Sequence, residues 1–415
     1  MTKKKEVLWI SHLIPYPPKG GVLQRSYHLV RELAGHHNVH LVAFVQKKLI
    51  NTHFTDYDEG ISEAKEHLLH YCKSVCFISI PCESSKYGQH QLAFKALFSK
   101  TGYTVDWLTD CKMHRLLKQL ASNQAFDTVV YDTISLIQYQ GHFPEAKAIL
   151  DHHNIESDMM LRRAANEQNL LKKLYFWQEG KKLQYYERVV CTTADLNITC
   201  SELDSEKLMQ LAPSAKATTI PNGVDINYFN CAQNRNYSLT TPTFIFAGRL
   251  SAYTNKMAAH YIAFKLWPEL KKQFPGSTFL IIGSDPQKEL LALDRSDPNF
   301  IVTGYVDDVR DYLEKADLYI CPITDGGGTK LKVLDALASG IPLIADPIAC
   351  EGINVENNKS VLFASSITEY SKCVKHLINN PNKVRLLSGS GRELAENTYS
   401  FETIVNNFSK VIDNL

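Results

Sequence analysis

The sequence predicts an α/β protein with two doubly wound domains, and three observations lead to this expectation. Short, almost continuous apolar runs alternate with longer segments of helical periodicity, and the alternation starts again after a polar stretch near the middle of the chain. Strands of this kind, separated by helices, are typical of parallel sheets that are covered on both faces. The chain has 415 residues, which is enough for two or three domains with separate cores.

The first series of elements fills about the first half of the chain. A helix is predicted over residues 24–33, because Leu29, Val30 and Leu33 recur on one side. A long helix over residues 166–190 is expected to pack across the end of this domain. The strands of the series are short apolar runs bounded by turn residues, at positions 7–10, 39–45, 75–80, 128–131, 148–150 and 196–199.

The second series begins beyond residue 240 and repeats the same pattern. Its strands are expected at residues 243–247, 278–282, 301–302, 318–321 and 342–345, and its helices at residues 256–272, 309–316 and 328–339. The final segment, residues 401–415, has apolar residues at helical spacing and needs a groove in which to bury them. The change-over lies between Cys200 and Pro242, and we place the domain boundary near residue 202.

The composition excludes several classes of protein. Lys and Arg number 45 against 44 Asp and Glu, a formal charge of 45 − 44 = +1, whereas proteins that bind nucleic acid through phosphate contacts usually have a large basic excess. No apolar run approaches the roughly 18 residues that span a bilayer, and the apolar stretch after the basic N-terminus is too short for a signal peptide. The ten cysteines lack metal-ligand spacing and are interpreted as reduced thiols. The sequence therefore predicts a cytoplasmic enzyme.

The first candidate loop follows the first strand and contains Gly20 and Gly21. Ligands of open α/β sheets bind beyond the carboxyl ends of the strands, where loops lead into helices. Paired glycines before a helix allow backbone N–H groups to approach an anion, and the helix dipole favours negative charge there. The alternative is a simple turn rich in proline and glycine.

The second candidate loop is the run 326–335, which reads Gly-Gly-Gly-Thr-Lys-Leu-Lys-Val-Leu-Asp. Lys330 and Lys332 lie in the first turn of the predicted helix, where cations oppose the helix dipole, and this conflict favours a bound phosphate. Asp335 lies beside the apolar stripe that includes Leu331, so its carboxylate requires a partner, and a ribose diol would suit it. The alternative is a surface ion pair between Lys332 and Asp335.

Two further loops carry polar side chains at predicted strand ends. Arg249 follows Gly248 and could direct its planar guanidinium at a diphosphate, although an interdomain salt bridge would explain it as well. Lys256 lies seven residues further on. His153 and Asn154 follow the strand at 148–150 as ligand-facing groups, with a capped loop and core histidines as the alternative. A metal site there would need further ligands, which the neighbouring sequence does not offer.

These loops, in this order, resemble the family 4 glycosyltransferases, which have the GT-B fold. The glycine loop resembles a subgroup that has Gly-Gly-Gly-Thr followed by Lys or Arg and then Leu-Lys. The similarity covers nearly the whole chain and is strongest from about residue 199 to residue 352. The matching motifs are Gly20-Gly21, residues 151–157, residues 197–202, Pro221-Asn222-Gly223-Val224-Asp225, Gly248-Arg249-Leu250, Gly304-Tyr305-Val306-Asp307-Asp308, residues 326–340 and Glu351-Gly352.

The resemblance implies a particular domain organisation. Two Rossmann-like domains are expected to face a central cleft, and the last helix is expected to cross back to the first domain. Residues 1–202, completed by residues 393–415, would form the acceptor-side domain. Residues 203–392 would form the domain that binds the nucleotide-sugar donor.

The resemblance also implies roles for individual residues. Arg249 and Lys330 would face the diphosphate, Asp335 would hold the ribose hydroxyls, and Val306 would line the base. His153 would face the transferred sugar or the acceptor. The implied donor-binding residues are Gly20, Gly21, Arg249, Val306, Gly327, Gly328, Thr329, Lys330, Leu331 and Asp335. The implied catalytic residues are His153, Arg249 and Lys330, and the acceptor-side residues are His153 and Asn154.

The implied activity is transfer of a sugar from a nucleotide-diphosphate sugar to a glycan, a lipid-linked acceptor or another hydroxyl acceptor, with retention of the anomeric configuration. It belongs to surface polysaccharide or glycoconjugate synthesis. No cofactor and no metal ion are expected, since Asp307 and Asp308 are adjacent rather than spaced as Asp-x-Asp. Fixed cations at the diphosphate would stabilise the charge that develops as the anomeric bond breaks. Two alternatives remain: a nucleotide-sugar epimerase, and a catalytically silent sugar-nucleotide-binding subunit.

The sequence departs from the family pattern at three positions. Gly327 stands where many members have a glutamate, eight residues before the ribose-binding acid, and that acid is Asp335 rather than Glu. Thr254 stands where the family has a lysine, five residues after Arg249, and Lys256 is not clearly its equivalent. The division of the diphosphate charge between Lys330 and Lys256 is therefore left open.

One amphipathic stretch lies outside these motifs. Phe94, Leu97 and Phe98 alternate with Lys95 and Lys100. This stretch either contacts a membrane surface transiently or lines the acceptor cleft. The expected partners are thus a nucleotide-sugar donor and a hydroxyl acceptor, without nucleic acid, and peripheral attachment to the inner membrane stays open.

Overall fold

The computed structural model describes residues 4–18, 21–230, 239–325 and 328–415. The chain forms two compact units: unit 1 comprises Met1–Pro221 and Val405–Leu415, and unit 2 comprises Asn222–Ile404. The change-over therefore falls after residue 221 rather than near residue 202, and the return to unit 1 falls at residue 405 rather than 393. The reason is that the segment after residue 202 adds a helix and a seventh strand to the sheet of unit 1.

Unit 1 is built on a seven-stranded sheet, and every strand pair in it is parallel. The strand order is β3-β2-β1-β4-β5-β6-β7. The strands are β1 (Glu6–Ser11), β2 (Asn38–Val45), β3 (Ser74–Ser79), β4 (Thr128–Asp132), β5 (Lys147–His152), β6 (Leu196–Thr199) and β7 (Ala217–Thr219). The helices are α1 (Gly21–His36), α2 (Lys47–His53), α3 (Tyr57–Leu69), α4 (Gly88–Ala96), α5 (Tyr103–Asp106), α6 (Cys111–Asn123), α7 (Glu156–Asn166), α8 (Leu170–Val190) and α9 (Glu202–Leu211), with 3-10 turns at Pro81–Ser84 and Ile134–His142.

Unit 2 is built on a six-stranded parallel sheet of order β10-β9-β8-β11-β12-β13. Its strands are β8 (Thr243–Ala247), β9 (Thr278–Ile282), β10 (Phe300–Val302), β11 (Leu318–Cys321), β12 (Leu343–Ala345) and β13 (Leu362–Phe363). Its helices are α10 (Tyr253–Tyr261), α11 (Trp267–Gln273), α12 (Lys288–Ser296), α13 (Arg310–Leu313), α14 (Leu331–Ala338), α15 (Ile367–Ile378) and α16 (Pro381–Leu394), with π-helical turns at Ile262–Leu266 and Ala395–Tyr399 and a 3-10 turn at Pro347–Cys350.

The last helix, α17 (Phe401–Asn414), begins in unit 2 and belongs to unit 1 from Val405 onward. Its Phe408 is buried and meets the ring of Trp9 edge-on, with 6.1 Å between ring centroids. Lys5 Nζ donates a hydrogen bond to the carbonyl oxygen of Ile412 at 2.7 Å. The predicted return of the C-terminal helix to the first domain, with its apolar stripe buried, is confirmed.

The sequence predicted most strands to within two residues, and several predicted helices need correction. The helix expected over residues 166–190 is α8, which begins at Leu170, and the preceding helix α7 was not predicted. The helix expected from residue 328 starts at Leu331, because Lys330 has an extended backbone (φ −85°, ψ 97°). The strands β7 and β13 were missed, since segments of three and two residues are too short to show an apolar period.

The strand order positions two sets of loops. In each sheet the order reverses beside the first strand, between β1 and β4 in unit 1 and between β8 and β11 in unit 2. Ligands of doubly wound sheets bind at such reversal points, beyond the carboxyl ends of the strands. Ser11 pairs with Asp132, and Asp132 pairs with Asp151, so three buried polar residues end adjacent strands of unit 1. In unit 2 the reversal lies beside Gly248 and Arg249.

Two global expectations can be checked on the described residues. None of the nine cysteines among them forms a disulfide, in accord with the predicted reduced thiols, while Cys231 lies outside the described ranges. None of the helices in these ranges is long and apolar enough to cross a bilayer.

Candidate active site

Asp132 is the centre of the candidate site in unit 1. Its carboxylate is fully buried, and its Oδ2 accepts hydrogen bonds from Ser11 Oγ at 2.8 Å and Ser26 Oγ at 2.9 Å. His153 Nε2 is hydrogen-bonded to the other oxygen, Oδ1. Burial alone would raise the pKa of Asp132, but the charge of His153 and hydrogen bonds from His12 and His153 outweigh it. The pKa is held well below its usual range, so this carboxylate stays ionised.

The pKa of His153 is shifted in the way that matches the shift of Asp132. Burial disfavours its charged form, but attraction and hydrogen bonding to Asp132 outweigh burial and raise the pKa of the imidazole above its ordinary value of 6.5. Nδ1, the other ring nitrogen, has no hydrogen-bond partner among the residues described, and the side chain is 9% exposed. His153 is therefore a fixed imidazole that favours the protonated state and has one nitrogen available to a ligand.

His12 completes a three-residue cluster with Asp132 and His153. Its Nδ1 lies 3.0 Å from the backbone carbonyl oxygen of Asp132, and its ring is 5.3 Å from that of His153. Ligand atoms of the three residues lie within 4.8 Å of one another, a spacing that could hold a metal ion. The further ligands, which the neighbouring sequence does not offer, thus come from two other strand ends. However, His153 Nε2 already hydrogen-bonds Asp132 Oδ1, and His12 Nδ1 lies at hydrogen-bond distance from a backbone carbonyl oxygen, so the donor set fits a hydrogen-bonded network.

A buried ion pair fixes the loop that carries His153. Arg25, on α1, donates to Asp151 through Nη2 at 2.7 Å and through Nε at 3.2 Å. Its Nη1 also donates to the carbonyl oxygens of Ile220 and Pro221, each at 3.0 Å. Helix α1 is thereby tied to the end of β5 and to the last residues of unit 1. Sequence analysis missed Arg25, because a single arginine in an amphipathic helix gives no signal of a buried partner.

The predicted anion loop of unit 1 can be checked in part. Helix α1 begins at Gly21, so the backbone N–H of this residue is among the first-turn donors that lack an intrahelical partner. Gly20 lies outside the described residues. Asn154 is half-buried in the bend after His153, ahead of α7. The placement of Gly21 is compatible with anion binding, and its role stays a prediction.

In unit 2, close backbone contacts hold three loops together. The N–H of Gly248 donates to Ile282 at 2.9 Å, and that of Gly283 donates to Gly304 at 3.1 Å. Gly248 and Gly283 have φ angles of +152° and +151°, a region that favours glycine. A methyl group on Gly283 would collide with the carbonyl oxygen of Gly248. The loops after β8, β9 and β10 therefore form one rigid rim, with Arg249 on it.

Arg249 is exposed on this rim, and its guanidinium makes no hydrogen bond or ion pair with any described residue. Within the described residues of unit 2, Arg249 has no ion-pair partner. Its backbone carbonyl oxygen accepts a hydrogen bond from Asn255 Nδ2 at 2.9 Å, which holds the residue in place. An exposed, unpaired guanidinium on a rigid loop is suited to a bidentate anion such as phosphate.

Lys332 is a second cation at this rim, and a surface ion pair with Asp335 was the alternative explanation for it. Its Nζ instead donates to Asn255 Oδ1 at 2.7 Å, beside Gly248. Burial lowers the pKa of Lys332, and the attraction of Cys321 and Asp335 offsets this only in part. The described residues contain no ion pair between Lys332 and Asp335, so Lys332 is a positioned ammonium rather than a solvated one.

Lys330 differs from the sequence expectation in its surroundings. The residue is 8% exposed, and its Nζ donates to the carbonyl oxygen of Gly328 at 2.8 Å within the same loop. Lys330 also acts electrostatically on Cys321 and Cys350. Its ammonium thus points into the loop instead of standing free, and contact with a diphosphate stays a prediction. Gly327 lies outside the described residues.

Asp335 lies one turn into α14. No described residue donates a hydrogen bond to its carboxylate. Burial raises its pKa to about 7, although nearby Lys332 works against this shift. An unpaired carboxylate at such a depth is costly unless a ligand satisfies it. Thr329 and Leu331 flank the start of the same helix, and Val306 packs partly against the core after β10.

The loop behind Val306 is fixed by a charged pair. Arg310 Nε donates to both oxygens of Asp308 at 2.9 Å, and Tyr228 Oη donates to Asp308 Oδ1 at 3.1 Å. The guanidinium of Arg310 also stacks over the ring of Tyr228 at 4.1 Å. The carboxylate of Asp308 is therefore occupied by these hydrogen bonds, which position the loop. It is not available to bind a metal ion together with the adjacent Asp307.

A cavity of about 220 Å³ lies at the same end of the unit 2 sheet. One wall comes from α10, and the other comes from the segments that follow β11, β12 and β13. Thr254, at the position where the family has a lysine, is part of the wall, together with Asp325 and Asp346. Threonine here removes a cation from the region.

Comparison with known proteins finds a family match in the part of the chain that forms the loops of unit 2. Residues 241–380 match the family described as Glycosyl transferases group 1. The matched segment lies within unit 2 and includes all six strands of its sheet. A protein of the cps region of Klebsiella pneumoniae is 23% identical over 95% of both chains. A phosphatidyl-myo-inositol mannosyltransferase of Mycobacterium tuberculosis is 28% identical over 33% of this chain and 36% of its own.

Solved structures share the fold over the full length. Anabaena Alr3699/HepE in complex with UDP has a TM-score of 0.66 at 12% identity, covering 99% of this chain and 100% of its own. Sucrose-phosphate synthase from Thermosynechococcus elongatus has a TM-score of 0.69 at 15% identity, covering 99% of both chains. The predicted GT-B architecture, with two Rossmann-like α/β domains, is confirmed.

Several residues of the candidate site were missed by sequence analysis. Asp132 and His12 follow strands in which the preceding residues are apolar, so their position at strand ends was the available signal. Asn255 forms hydrogen bonds with Arg249 and Lys332, and no motif in the neighbouring sequence indicates this role. Glu187 is fully buried and accepts hydrogen bonds from the backbone and hydroxyl of Ser157, near the His153 loop.

Proposed function

We propose that the protein transfers a sugar from a nucleoside-diphosphate sugar to a hydroxyl acceptor, with retention of anomeric configuration and without a metal ion. One observation carries the proposal. At the reversal point of the unit 2 sheet, the exposed guanidinium of Arg249 and the positioned ammonium of Lys332 accompany the unpaired carboxylate of Asp335. Two cations and an acid suit the diphosphate and the ribose of one ligand.

Comparisons support the donor class. Structural neighbours include Anabaena Alr3699/HepE in complex with UDP-glucose and a pneumococcal O-GlcNAc transferase in complex with UDP and GlcNAc. The relative from Klebsiella pneumoniae is a protein of a cps region, which favours an acceptor in surface polysaccharide or glycoconjugate synthesis. The donor is thus proposed to be a nucleotide sugar, with UDP as the first nucleotide to test.

The donor is proposed to bind along the rim and the start of α14. Arg249 and Lys332 would neutralise the diphosphate, together with backbone N–H groups of Thr329 and Leu331. Asp335 would accept hydrogen bonds from the ribose hydroxyls, since an ionised carboxylate has two acceptor oxygens. The predicted roles of the remaining residues are retained in the proposal: Gly20, Gly21, Gly327, Gly328 and Lys330 at the phosphates and Val306 at the base.

The chemical step is proposed to depend on charge stabilisation. Breaking the anomeric bond leaves negative charge on the departing diphosphate and positive charge on the sugar ring. Cations fixed before the reaction stabilise that distribution more than the ground state, because they need not reorganise. Arg249 is held by Asn255 through its backbone, and Lys332 is held by the same side chain. Asn255 is therefore proposed as the positioning residue for both.

His153 is proposed to act at the transferred sugar or the acceptor, with Asn154 beside it. Asp132 fixes one ring nitrogen and favours the protonated imidazole, which leaves Nδ1 to donate a hydrogen bond to a sugar hydroxyl. A histidine held this way is a poor nucleophile, because its free nitrogen carries a proton. Metal independence follows within this proposal from the use of Arg249 and Lys332 as the counter-charges.

The test is a binding screen with UDP-, GDP- and dTDP-sugars by thermal shift and calorimetry, followed by acceptor trials with the best donor. Lys332→Met is expected to weaken binding of the nucleoside diphosphate by about 10- to 100-fold, the range for loss of a charge-assisted hydrogen bond. Lys288→Met, an exposed lysine of α12, is the matched control and should bind normally.

Asp335→Asn gives an independent readout through pH. Because the pKa of Asp335 is about 7 in the free protein, donor affinity of the wild type should rise from pH 6 to pH 8 as the carboxylate ionises. The variant should bind at least about tenfold more weakly at pH 8 and show a flatter profile. Failure of every nucleotide sugar to bind, or full activity of Lys332→Met, would refute the proposed donor site.

A further inference from the structure

A group of exposed apolar side chains on two neighbouring segments of unit 1 has no part in the proposed reaction. Phe98, at the end of α4, is 79% exposed, and Leu171 and Trp177 on α8 are 81% and 50% exposed. Apolar side chains of this size are usually buried, and a group of them marks an interaction site. We call this surface the α4/α8 face, and its apolar members are Tyr87, Phe94, Phe98, Leu170, Leu171, Leu174 and Trp177.

Hydrogen bonds join the two helices into one face. Gln178 Nε2, on α8, donates to the carbonyl oxygen of Leu97 at 2.9 Å, and Lys182 Nζ donates to the same oxygen at 2.9 Å and to that of Ala96 at 2.7 Å. Phe98 directly follows Leu97, so its backbone lies close to α8. The ring centroid of Phe98 is 5.7 Å from that of Phe94. The aromatic pair of α4 therefore adjoins the apolar side of α8.

Helical spacing places three exposed apolar side chains on one side of α8. Leu170, Leu174 and Trp177 are separated by four and three residues, which puts them in one stripe, and Lys181 follows four residues later on the same stripe. Glu179 is turned inward, because its carboxylate accepts hydrogen bonds from the backbone N–H groups of Tyr103 and Thr104. Glu167 precedes the helix and accepts a hydrogen bond from the N–H of Asn169. The stripe thus presents apolar and basic groups only.

The charge around this face is strongly unbalanced. Residues 86–100 and 167–182 together contain seven lysines and two glutamates, a local charge of 7 − 2 = +5 in a chain whose total is +1. All seven cations are lysine, and none is arginine. Protein interfaces are depleted in lysine and enriched in arginine, whereas lysines around aromatic side chains are typical of surfaces that meet lipid headgroups.

We propose that the α4/α8 face docks on the surface of a bilayer that contains anionic lipids. Phe94, Phe98, Leu174 and Trp177 enter the boundary between headgroups and acyl chains, while the flanking lysines contact the anionic headgroups. The protein lies on the membrane without crossing it, in keeping with the absence of a spanning helix among the described residues. This inference is independent of the donor site, since all of these residues belong to α4, α8 and their flanks.

Vesicle flotation of the full chain tests the proposal, with phosphatidylcholine vesicles that contain or lack about one third phosphatidylglycerol. Binding is expected to the anionic vesicles, to weaken with added NaCl, and to be far weaker on pure phosphatidylcholine. Of the four tryptophans, Trp177 is the exposed one, while Trp9 and Trp267 are buried. Vesicle binding should therefore shift the fluorescence to the blue in the wild type and not in Trp177→Phe.

Two pairs of variants separate the apolar and the basic contributions. Phe98→Ser with Trp177→Ser, and Lys172→Glu with Lys173→Glu, are each expected to reduce partitioning to anionic vesicles by about tenfold or more. The matched controls are Leu386→Ser, another exposed apolar residue, and Lys265→Glu with Lys272→Glu, which make the same charge change on unit 2. The controls should bind vesicles like the wild type.

The outcomes that count against the proposal are distinct. Equal binding to both vesicle types, or unchanged binding by both pairs of variants, would overturn it. A dimer that Phe98→Ser with Trp177→Ser abolishes, without vesicle binding by the wild type, would assign the face to self-association instead. Donor binding by thermal shift is expected to be unchanged in all of these variants, so a failed donor site and a failed membrane face are distinguishable.

Discussion

At the scale of single residues, buried polar groups are satisfied by partners that come from other strands. Asp132 ends β4, and its carboxylate receives hydrogen bonds from Ser11 at the end of β1, from Ser26 on α1 and from His153 after β5. A carboxylate at such a depth stays ionised only because these donors and the histidine charge outweigh the cost of burial. The pair of Asp132 and His153 therefore holds a proton in a defined place.

Asp132→Asn tests this pair. The neutral amide no longer attracts the imidazolium, so the pKa of His153 should fall from its raised value, and kcat should fall by about tenfold or more because the ring loses its preferred protonated form. An NMR titration of the histidine side chains measures the pKa directly.

Ser26→Ala is the control for this change. It removes one hydrogen bond to Asp132 but keeps the carboxylate, so the pKa of His153 should remain raised. An unchanged His153 titration in Asp132→Asn would contradict the assigned pairing.

At the scale of elements, α7 and α8 enclose a buried acid beside the His153 loop. Glu187 on α8 accepts hydrogen bonds from the N–H and the hydroxyl of Ser157 on α7, and burial, the largest effect, raises its pKa to about 7. In the unfolded chain the same acid would titrate near 4.5. Between these two values the folded state binds the extra proton, so this group makes the free energy of unfolding fall as the pH rises from about 4.5 to about 7.

Glu187→Gln should remove that pH dependence. The amide does not titrate, so the variant is expected to gain on the order of 2 kcal/mol in the free energy of unfolding at pH 8 relative to the wild type, and little at pH 4.5. Urea unfolding at both pH values measures the difference.

Glu206→Gln, an exposed acid on α9, is the matched control and should show no such gain. A loss of stability at pH 8 in Glu187→Gln would show that the hydrogen bonds of the ionised carboxylate matter more than the cost of burying its charge.

At the scale of the whole molecule, the end of the chain completes the domain at its beginning. From Val405 onward α17 belongs to unit 1, where Phe408 packs on Trp9 of β1 and Ser409 is hydrogen-bonded to His37 at 2.9 Å. Phe408→Ala should therefore destabilise unit 1 by about 3–5 kcal/mol, the usual cost of emptying a buried aromatic site. Denaturant unfolding measures the loss.

The control on the same helix is Asn406→Ala, an exposed position that should change stability by less than about 0.5 kcal/mol. Equal stability of Phe408→Ala and the wild type would contradict the contribution of α17 to unit 1.

The fold was largely predictable because its signals are local. Buried strands need apolar side chains at consecutive positions, so β6, β8, β9 and β11 were predicted with the bounds that the structure has. β7, with three half-exposed residues, has no such signal, and its omission moved the predicted domain boundary from residue 221 to residue 202.

The candidate site was predictable only in part, because a motif does not state which way its side chains turn. Arg249 is exposed and Asp335 is half-buried, and neither side chain has a hydrogen-bond or ion-pair partner among the described residues. Lys330, the more obvious lysine by family resemblance, turns toward Gly328, while Lys332 is the one fixed at the rim by Asn255. The difference arises because Lys330 precedes the helix with an extended backbone and Lys332 lies within it.

The sequence by itself determined the order of strands and helices, the positions of the glycine loops and the class of ligand that they suit. Each of these depends on the residue types within a short stretch of chain. Only the tertiary structure decided that His12, Asp132 and His153 meet, and that the +1 total charge conceals a basic, apolar face. These groups are far apart in the sequence, and they become neighbours only when parallel strands align their carboxyl ends and helices pack side by side.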